Sequence, residues 1–253
     1  MKIDLHVHDK ERSACSKSSE EEQIKAAIKY GLDGLVFTDH NILTPLERIK
    51  ELNNKYKPFK IYGGIEIEMQ DTHEHILVLG LHDKILQNKK WVYKELHSYV
   101  RKNNGYIAFA HPFRYKDFIE ENLEKFIPDA IEIHSTNIGI DDTEKIKQLA
   151  TKLNTNLIAD SDAHHYTKVG IYCNDLAASP NSEEELIEML KKGAYKISFD
   201  LKRIKEHNYE VNKKELLIKK LIKEGKNKFY YHNITGNWEG EFERVAQGKT
   251  YKI

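Results

Sequence analysis

Short apolar runs that end in histidine or acid alternate with amphipathic helical segments along most of this 253-residue chain. "KIDLHVH", "DGLVFTDHN", "FKIYGGIEIEM", "HILVLGLH", "YIAFAHP", "AIEIHS" and "NLIADSDAH" read as strands. Between most of them lie "SSEEEQIKAAIKYG", "PLERIKELNNKY", "NKKWVYKELHSYVRKNNG", "FIEENLEKFI" and "DDTEKIKQLATKLN", with the apolar spacing of helices packed on a sheet. Ser18 or Ser19 can cap the first helix, the glutamates suit its positive end, and Gly31 stops it. No helix separates the third and fourth runs, which are expected to pair as neighbours. Strand and helix in alternation imply parallel βαβ units, and this many in one chain imply an α/β barrel.

Two more strand-like runs, "VGIYCNDL" and "AYKISF", flank a helical "SEEELIEMLKKG", and past about residue 200 the rhythm weakens. "NKKELLIKKLIKEGK" reads as a basic amphipathic helix, apolar side on the body and lysines in water. The closing "FYYHNITGNWEGEFERVAQGKTYKI" is aromatic and turn-rich, and reads as a hairpin or an extended tail. The expected organisation is a barrel over residues 1–200 with a C-terminal helix and tail, 201–253, packed on it.

Composition narrows the function classes. The 40 basic and 40 acidic side chains cancel, so no global field calls for a nucleic acid or a membrane surface. Cys15 and Cys173 do not make a disulfide framework, and a cytoplasmic location is expected from this cysteine usage. "MKIDLHVH" holds no apolar signal core, and no run approaches the length of a membrane span.

Barrel enzymes carry their chemistry at the C-terminal ends of strands. Alternate residues of a strand share a face, so Asp4, His6 and His8 are expected to point together, away from Ile3, Leu5 and Val7. The later strand ends supply Asp39 and His40, Glu66 and Glu68, His73 and His75, His111, His134, and Asp160, Asp162 and His164. A mouth lined by so many imidazoles and carboxylates is costly unless something binds them. The mixture suits zinc, manganese or iron, and the number of donors exceeds what one ion needs. Two or three divalent ions bridged by a carboxylate are the economical account.

In order, "DLHVH", "FTDHN", "GGIEIE" with "HILVLG", "FAHPFR" and "DSDAHH" resemble the motifs of the polymerase and histidinol phosphatase (PHP) family of metal-dependent phosphoesterases, over about residues 1–200. The resemblance implies a distorted seven-stranded (β/α) barrel with a short C-terminal appendage and a two- or three-metal site. Carried over residue by residue, it implies one ion on His6, His8, Glu66 and Asp162. A second ion, sharing Glu66, falls to His75 and His111, and a third to His40 and His164. Glu68, His73, Asp160 and His165 are implied as supporting residues around the ligands, and His134 as either substrate contact or ligand. Many members place an acid or histidine for the third ion shortly after the first two histidines. Here "DKERSACSKSS" offers Asp9 and Glu11 close to His8, and Cys15 near the expected place.

The implied reaction is in-line attack on phosphorus by a metal-activated hydroxide. His164 or His134 would give a proton to the leaving oxygen. Arg114 in "HPFR" would grip the phosphate, with Arg12 and Lys17 as weaker candidates. The expected substrate is a small phosphomonoester or a short nucleotide or oligonucleotide. Three alternatives remain at this point. Amidohydrolase barrels also begin with HxH but often use a bridging lysine. A catalytically silent metal-binding module would account for the missing acid. A nucleic-acid binder would use the basic C-terminal helix.

Overall fold

The computed structural model describes all 253 residues. In chain order the elements are β1 (Lys2–Val7), α1 (Glu20–Lys29), β2 (Gly34–Phe37), α2 (Leu46–Lys55), β3 (Lys60–Glu68), β4 (His75–Leu79), α3 (Ile85–Asn88), α4 (Tyr93–Lys102) and β5 (Tyr106–Phe109). They continue with β6 (Ala130–His134), α5 (Thr143–Leu153), β7 (Asn156–Ala159), β8 (Tyr172–Leu176), α6 (Glu183–Lys191), β9 (Tyr195–Phe199), α7 (Leu201–Lys223), α8 (Lys228–Thr235) and α9 (Glu239–Ala246). The strands form one sheet in the order β7-β6-β5-β4-β3-β2-β1-β8-β9. Strands β1, β2 and β3 run parallel, as do β5, β6 and β7, while β4 opposes both its neighbours. The antiparallel pair β8–β9, connected through α6, extends the sheet on the far side of β1, so it has nine strands rather than the expected seven.

The sheet curls until β7 meets β1. A ladder of two bonds closes the upper seam, from the His8 amide to the Ala163 carbonyl (3.0 Å) and from the Ala163 amide to the His6 carbonyl (3.3 Å). Lower down, side chains replace the ladder. The Asp160 carboxylate accepts from the Leu5 amide (2.8 Å), and Asp4 accepts from the amides of Ser161 (3.0 Å) and Gly170 (2.8 Å). Asn174 of β8 pairs with both the amide and the carbonyl of Ala159. The result is a nearly closed barrel.

One irregularity in β1 decides which side chains enter the lumen. Leu5 belongs to a cluster that draws on β1, β2 and β4 to β8 (Ile3, Val36, Leu77, Ala108, Ala130, Ile158 and Leu176 among its members), which describes the lumen floor, capped by Leu186 and Leu190 of α6. Val7, two residues on, packs instead with Ile24 and Ala27 of α1 on the outside. The pairing register of β1 shifts between Asp4 and Val7, and the facing of alternate residues reverses with it. Asp4 therefore does not share the site face with His6 and His8, as strict alternation predicts; it ties the seam. On β3 and β6, Ile65, Ile67, Ile131 and Ile133 pack outward beneath α4 and α5, leaving Glu66 and Glu132 to the lumen.

Ser19 is the cap of α1, in a reciprocal capping box with Glu22, and Gly31 follows it at φ +79°. Two local expectations are corrected. "FIEENLEKFI" forms turns, not a helix, because the Glu74 carboxylate takes the backbone amides of Glu120 (3.0 Å) and Glu121 (3.2 Å). The aromatic C-terminus is helical: Tyr231 of α8 and Phe242 and Val245 of α9 bury against Ile218 and Leu221 of α7. Helix α7 starts at Leu201, capped by Asp200, and Arg203 docks it by donating to the Thr167 and Val169 carbonyls over the Tyr30 ring. The last residue, Ile253, is buried in the cluster beneath α4 and α5. No helix is long and apolar enough to cross a membrane.

Candidate metal centre

Of the polar strand ends named above, the structure brings His6, His8, His40, Glu66, His75, His111, Asp162 and His164 together at one end of the barrel. At the centre, His6 Nε2 lies 3.5 Å from Glu66 Oε2 and 3.4 Å from Asp162 Oδ1. His8 Nε2 lies 3.3 and 3.2 Å from the same two oxygens. These four atoms are buried and none makes a well-directed hydrogen bond, though Glu66 Oε2 lies within ion-pair range of His40. Ligand atoms about 2.0–2.2 Å from one shared ion in tetrahedral array stand roughly 3.3–3.6 Å apart, so the spacing fits a cation. Buried unpaired polar atoms are costly, and four converging on one point are explained by an ion that accepts all their lone pairs.

The partners of these side chains set their lone pairs. His6 Nδ1 donates to Glu132 Oε1 (3.0 Å), whose other oxygen accepts from the His111 amide (2.8 Å). Ser13 Oγ gives its proton to Asp39 (2.6 Å), so it accepts from His8 Nδ1 (3.3 Å) and from the His40 amide (3.1 Å). Asn137 holds the second oxygen of Asp162 (2.6 Å). Burial opposes a charge on His6, but Asp162, Glu66 and Glu132 raise its pKa well above the ordinary value, so a bound cation would take the place of a proton at its Nε2; with an ion present, each arrangement would present an Nε2 lone pair or a carboxylate oxygen to the centre, as metal ligands require.

Around this point lie more donors. Glu66 Oε1 is 2.8 Å from both His75 Nδ1 and His111 Nε2, and Glu66 Oε2 is 2.7 Å from His40 Nδ1. Donor atoms of His8, His40 and His164 come within 4.8 Å of one another, as do those of His40, Glu66 and His75 and of His6, His111 and Asp162. The rings of His40 and His164 stack on that of His8 at 4.4 and 4.3 Å. Burial opposes ionisation of Glu66, but His75, His6 and His40 outweigh it and hold its carboxyl well below the usual range; His6, His8 and His164 do the same for Asp162. Burial and the cation of His164 push His8 well down, and burial pushes His111 down to about 4. His111 and Asp162 both sit at positive φ (+26° and +49°), a conformation that side chains favour only when surroundings impose it.

Other sequence candidates fall elsewhere. His134 makes no hydrogen bond or ion pair with the cluster; its ring stacks on Tyr172 at 5.1 Å, and burial lowers it to about 4. Glu68 and His73 pair with each other at 2.6 Å on the surface. His165 bonds Thr167 (2.8 Å). Arg12 is used up in the first loop by Asp9, Asp39 and Glu20. Cys15 does come near: burial would raise its thiol, but contacts with His164 and His40 bring it down to about 6. Arg114 stands at the rim with Nη1 3.8 Å from Asp162. Glu132, Ser13 and Asn137 were not anticipated. Glu132 had a signal, since it lies two residues before His134 on the same strand.

Fold and mouth together define an α/β barrel built around a cluster of imidazoles and carboxylates whose open atoms suit several cations. The chain belongs to the PHP domain family, whose model matches residues 4–226. Among solved structures it is similar to PsfC from Pseudomonas syringae (TM-score 0.62, 17% identity, covering 83% of this chain and 96% of that one). It is also similar to a "putative metal-dependent phosphoesterase" from Bifidobacterium adolescentis (TM-score 0.58, 13% identity, 79% and 97% covered). A third is an amidohydrolase from Chromobacterium violaceum with bound sulfate and no metal (TM-score 0.53, 16% identity, 77% and 97% covered). At these identities the likeness is one of fold. No curated protein matches the chain.

Proposed function

We propose that this protein is a metal-dependent hydrolase of phosphoric esters, acting on a small phosphomonoester or a short nucleotide substrate. The observation that carries the reading is the convergence of four buried ligand atoms from His6, His8, Glu66 and Asp162, none of them in a well-directed hydrogen bond. His6, His8, Glu66 and Asp162 would hold one divalent ion, His75 and His111 with Glu66 a second, and His40 and His164 a third. Bound there, such ions supply Lewis acidity toward a phosphoryl group and lower the pKa of water.

The chain's own residues do the rest. Arg114 has a buried Nε without a partner and a guanidinium at the rim, which suits two phosphoryl oxygens. His164 lies on the open side of the cluster, a quarter exposed, and in the enzyme without a third ion it can hand a proton to the leaving oxygen. Glu132, Ser13 and Asn137 hold the ligands in orientation. The family and the phosphoesterase among the similar structures support this reading, and the sulfate held by the amidohydrolase is a tetrahedral oxyanion like phosphate.

That same amidohydrolase favours a second reading, hydrolysis of a carbon–nitrogen bond. The test is turnover of an aryl phosphate monoester and diester and of a panel of amides and cyclic amides. The protein is first stripped with a chelator and then given manganese or zinc, with metal counted per chain. Metal-restored phosphate release, abolished in Glu66→Ala with its fold intact, is expected. Turnover of amides alone, or undiminished turnover in Glu66→Ala, overturns it.

A further inference from the structure

Little polar contact holds the Arg114 side chain, although it is only 14% exposed. Its one ion pair is the 3.8 Å approach of Nη1 to Asp162, and its buried Nε has no partner. What surrounds the guanidinium is aromatic. Its carbon lies 4.8 Å over the ring of Trp238 and 5.3 Å over that of Tyr115, and the two rings meet edge to face at 5.9 Å. Arg244, the other guanidinium beside this groove, is fixed by oxygens instead. Its Nη1 lies 2.9 Å from Asp142 Oδ2, and its Nη2 donates to the Thr250 carbonyl at 3.0 Å.

Trp238 comes from the turn before α9, past the last residue of the family match. Its indole is seated on one side and covered on another. A Cβ on Gly240 would lie 2.1 Å from the ring, so the missing side chain lets the indole lie against the first turn of α9. Arg114 covers the ring from the barrel side. The loop that carries Arg114 also needs outside support, since His111 and Phe113 sit at positive φ (+26° and +64°). Lys249, which follows α9, gives some of it by pairing with Asp117.

We infer that Trp238 is a positioning residue for Arg114, so that the C-terminal helices supply the shelf on which the phosphate-gripping guanidinium rests. This rests on the phosphoester reading above and deepens it. A long side chain at a rim has many rotamers, and ordering it is a cost of binding. A guanidinium already lying on a ring has lost that freedom before substrate arrives. A π face holds the cation without occupying its N–H groups, which stay free for phosphoryl oxygens, whereas a carboxylate in the same place would take them.

The test measures inorganic phosphate binding by titration calorimetry, and aryl phosphate turnover, on the metal-loaded full-length protein. Trp238→Ala is expected to weaken phosphate binding roughly 2- to 30-fold, the span of a cation–π contact, and to raise KM more than it lowers kcat. Trp238→Phe should recover most of the loss. Trp238→Leu, which keeps apolar bulk without a π face, should not. Gly240→Ala evicts the indole while favouring the helix, and should match Trp238→Ala. In an Arg114→Ala background, Trp238→Ala should cost nothing further.

Three results overturn the inference: unchanged phosphate affinity and KM in Trp238→Ala, the same loss with and without Arg114, or full recovery by leucine, which would make the indole a packing piece. The reading beneath it fails separately. Phosphate binding that shows the Trp238–Arg114 coupling, with no ester hydrolysed, keeps the shelf and refutes the phosphoester reading. Hydrolysis without that coupling refutes the shelf and keeps the reading. Neither phosphate binding nor hydrolysis refutes both.

Discussion

Glu132 is the most informative side chain to change, because it touches no open ligand position yet holds two candidate ligands. One oxygen accepts from His6 Nδ1 at 3.0 Å and the other from the amide of His111 at 2.8 Å. Glu132→Gln keeps shape and volume but offers one acceptor where two donors need one each. Either the His6 ring loses the partner that fixes its tautomer, or the His111 amide faces an NH₂ group. Loss of such a supporting partner typically weakens metal binding about 10- to 100-fold, or roughly 1.4–2.8 kcal/mol. In the metal-free protein the buried donor left without an acceptor costs about 1–3 kcal/mol, offset in part because burial already raises the Glu132 carboxyl above its ordinary pKa and the amide carries no charge to desolvate, so the melt should fall only modestly. Competition for zinc with a chelating dye measures the first quantity, and a thermal melt of the stripped protein measures the second. Zinc affinity within about threefold of the unaltered protein, with the fold intact, would refute the claim that Glu132 orients the centre.

Two further changes follow from burial and hydrogen bonding. Asn174→Ala removes three hydrogen bonds between β8 and β7, two to Ala159 and one to Asp160. At about 1 kcal/mol each the loss is about 3 kcal/mol and Tm should fall by roughly 6–12 °C; a fall under about 2 °C would show that the ladder and the Asp4 and Asp160 bonds hold the seam without Asn174. Burial raises both Glu74 and Glu121 to about 7. Raised carboxyls make the folded state bind more protons than the unfolded one, so their contribution weakens as pH climbs from the ordinary carboxylate range through about 7. Glu121→Gln should flatten that decline in a series of melts across this window, and an unchanged slope would assign the decline to other groups.

The parts of the molecule that the sequence revealed are those whose signals are local. Strand and helix periods, the Ser19 cap and the break at Gly31 all act within a few residues, and each appears where the pattern puts it. The histidines and acids at the strand ends were legible because the barrel turns a one-dimensional rhythm into a ring. What was not legible depended on contacts distant in sequence. "FIEENLEKFI" has helical spacing, yet its amides bind Glu74, more than 40 residues earlier. The facing of β1 reverses at a register shift that alternation cannot foresee. His134 drew attention by its type, whereas Glu132, two residues before it, has the contacts. The helices α8 and α9 form because Ile218 and Leu221 offer them a surface, and nothing in the aromatic tail itself announces that partner.

The seam adds a consequence for metal removal. His6 and His8 belong to the β1 side and Asp162 to the β7 side, where few ladder bonds join them. An ion shared by these three side chains would staple the place where the sheet closes on itself. Any ligand that binds the folded state alone stabilises it, by about 2.7 kcal/mol at one hundred times its Kd, which raises Tm by roughly 5–11 °C for a chain this long. That shift is expected wherever the ion binds. The staple predicts its location as well: the amides of Leu5, Ser161 and Ala163, which cross the seam, should gain more protection from hydrogen exchange on metal addition than those of β3 or β4. A raised Tm with protection spread evenly through the sheet would mean that the barrel is closed before the ion arrives. Protection concentrated at those three amides would mean that the metal centre is also the clasp of the fold.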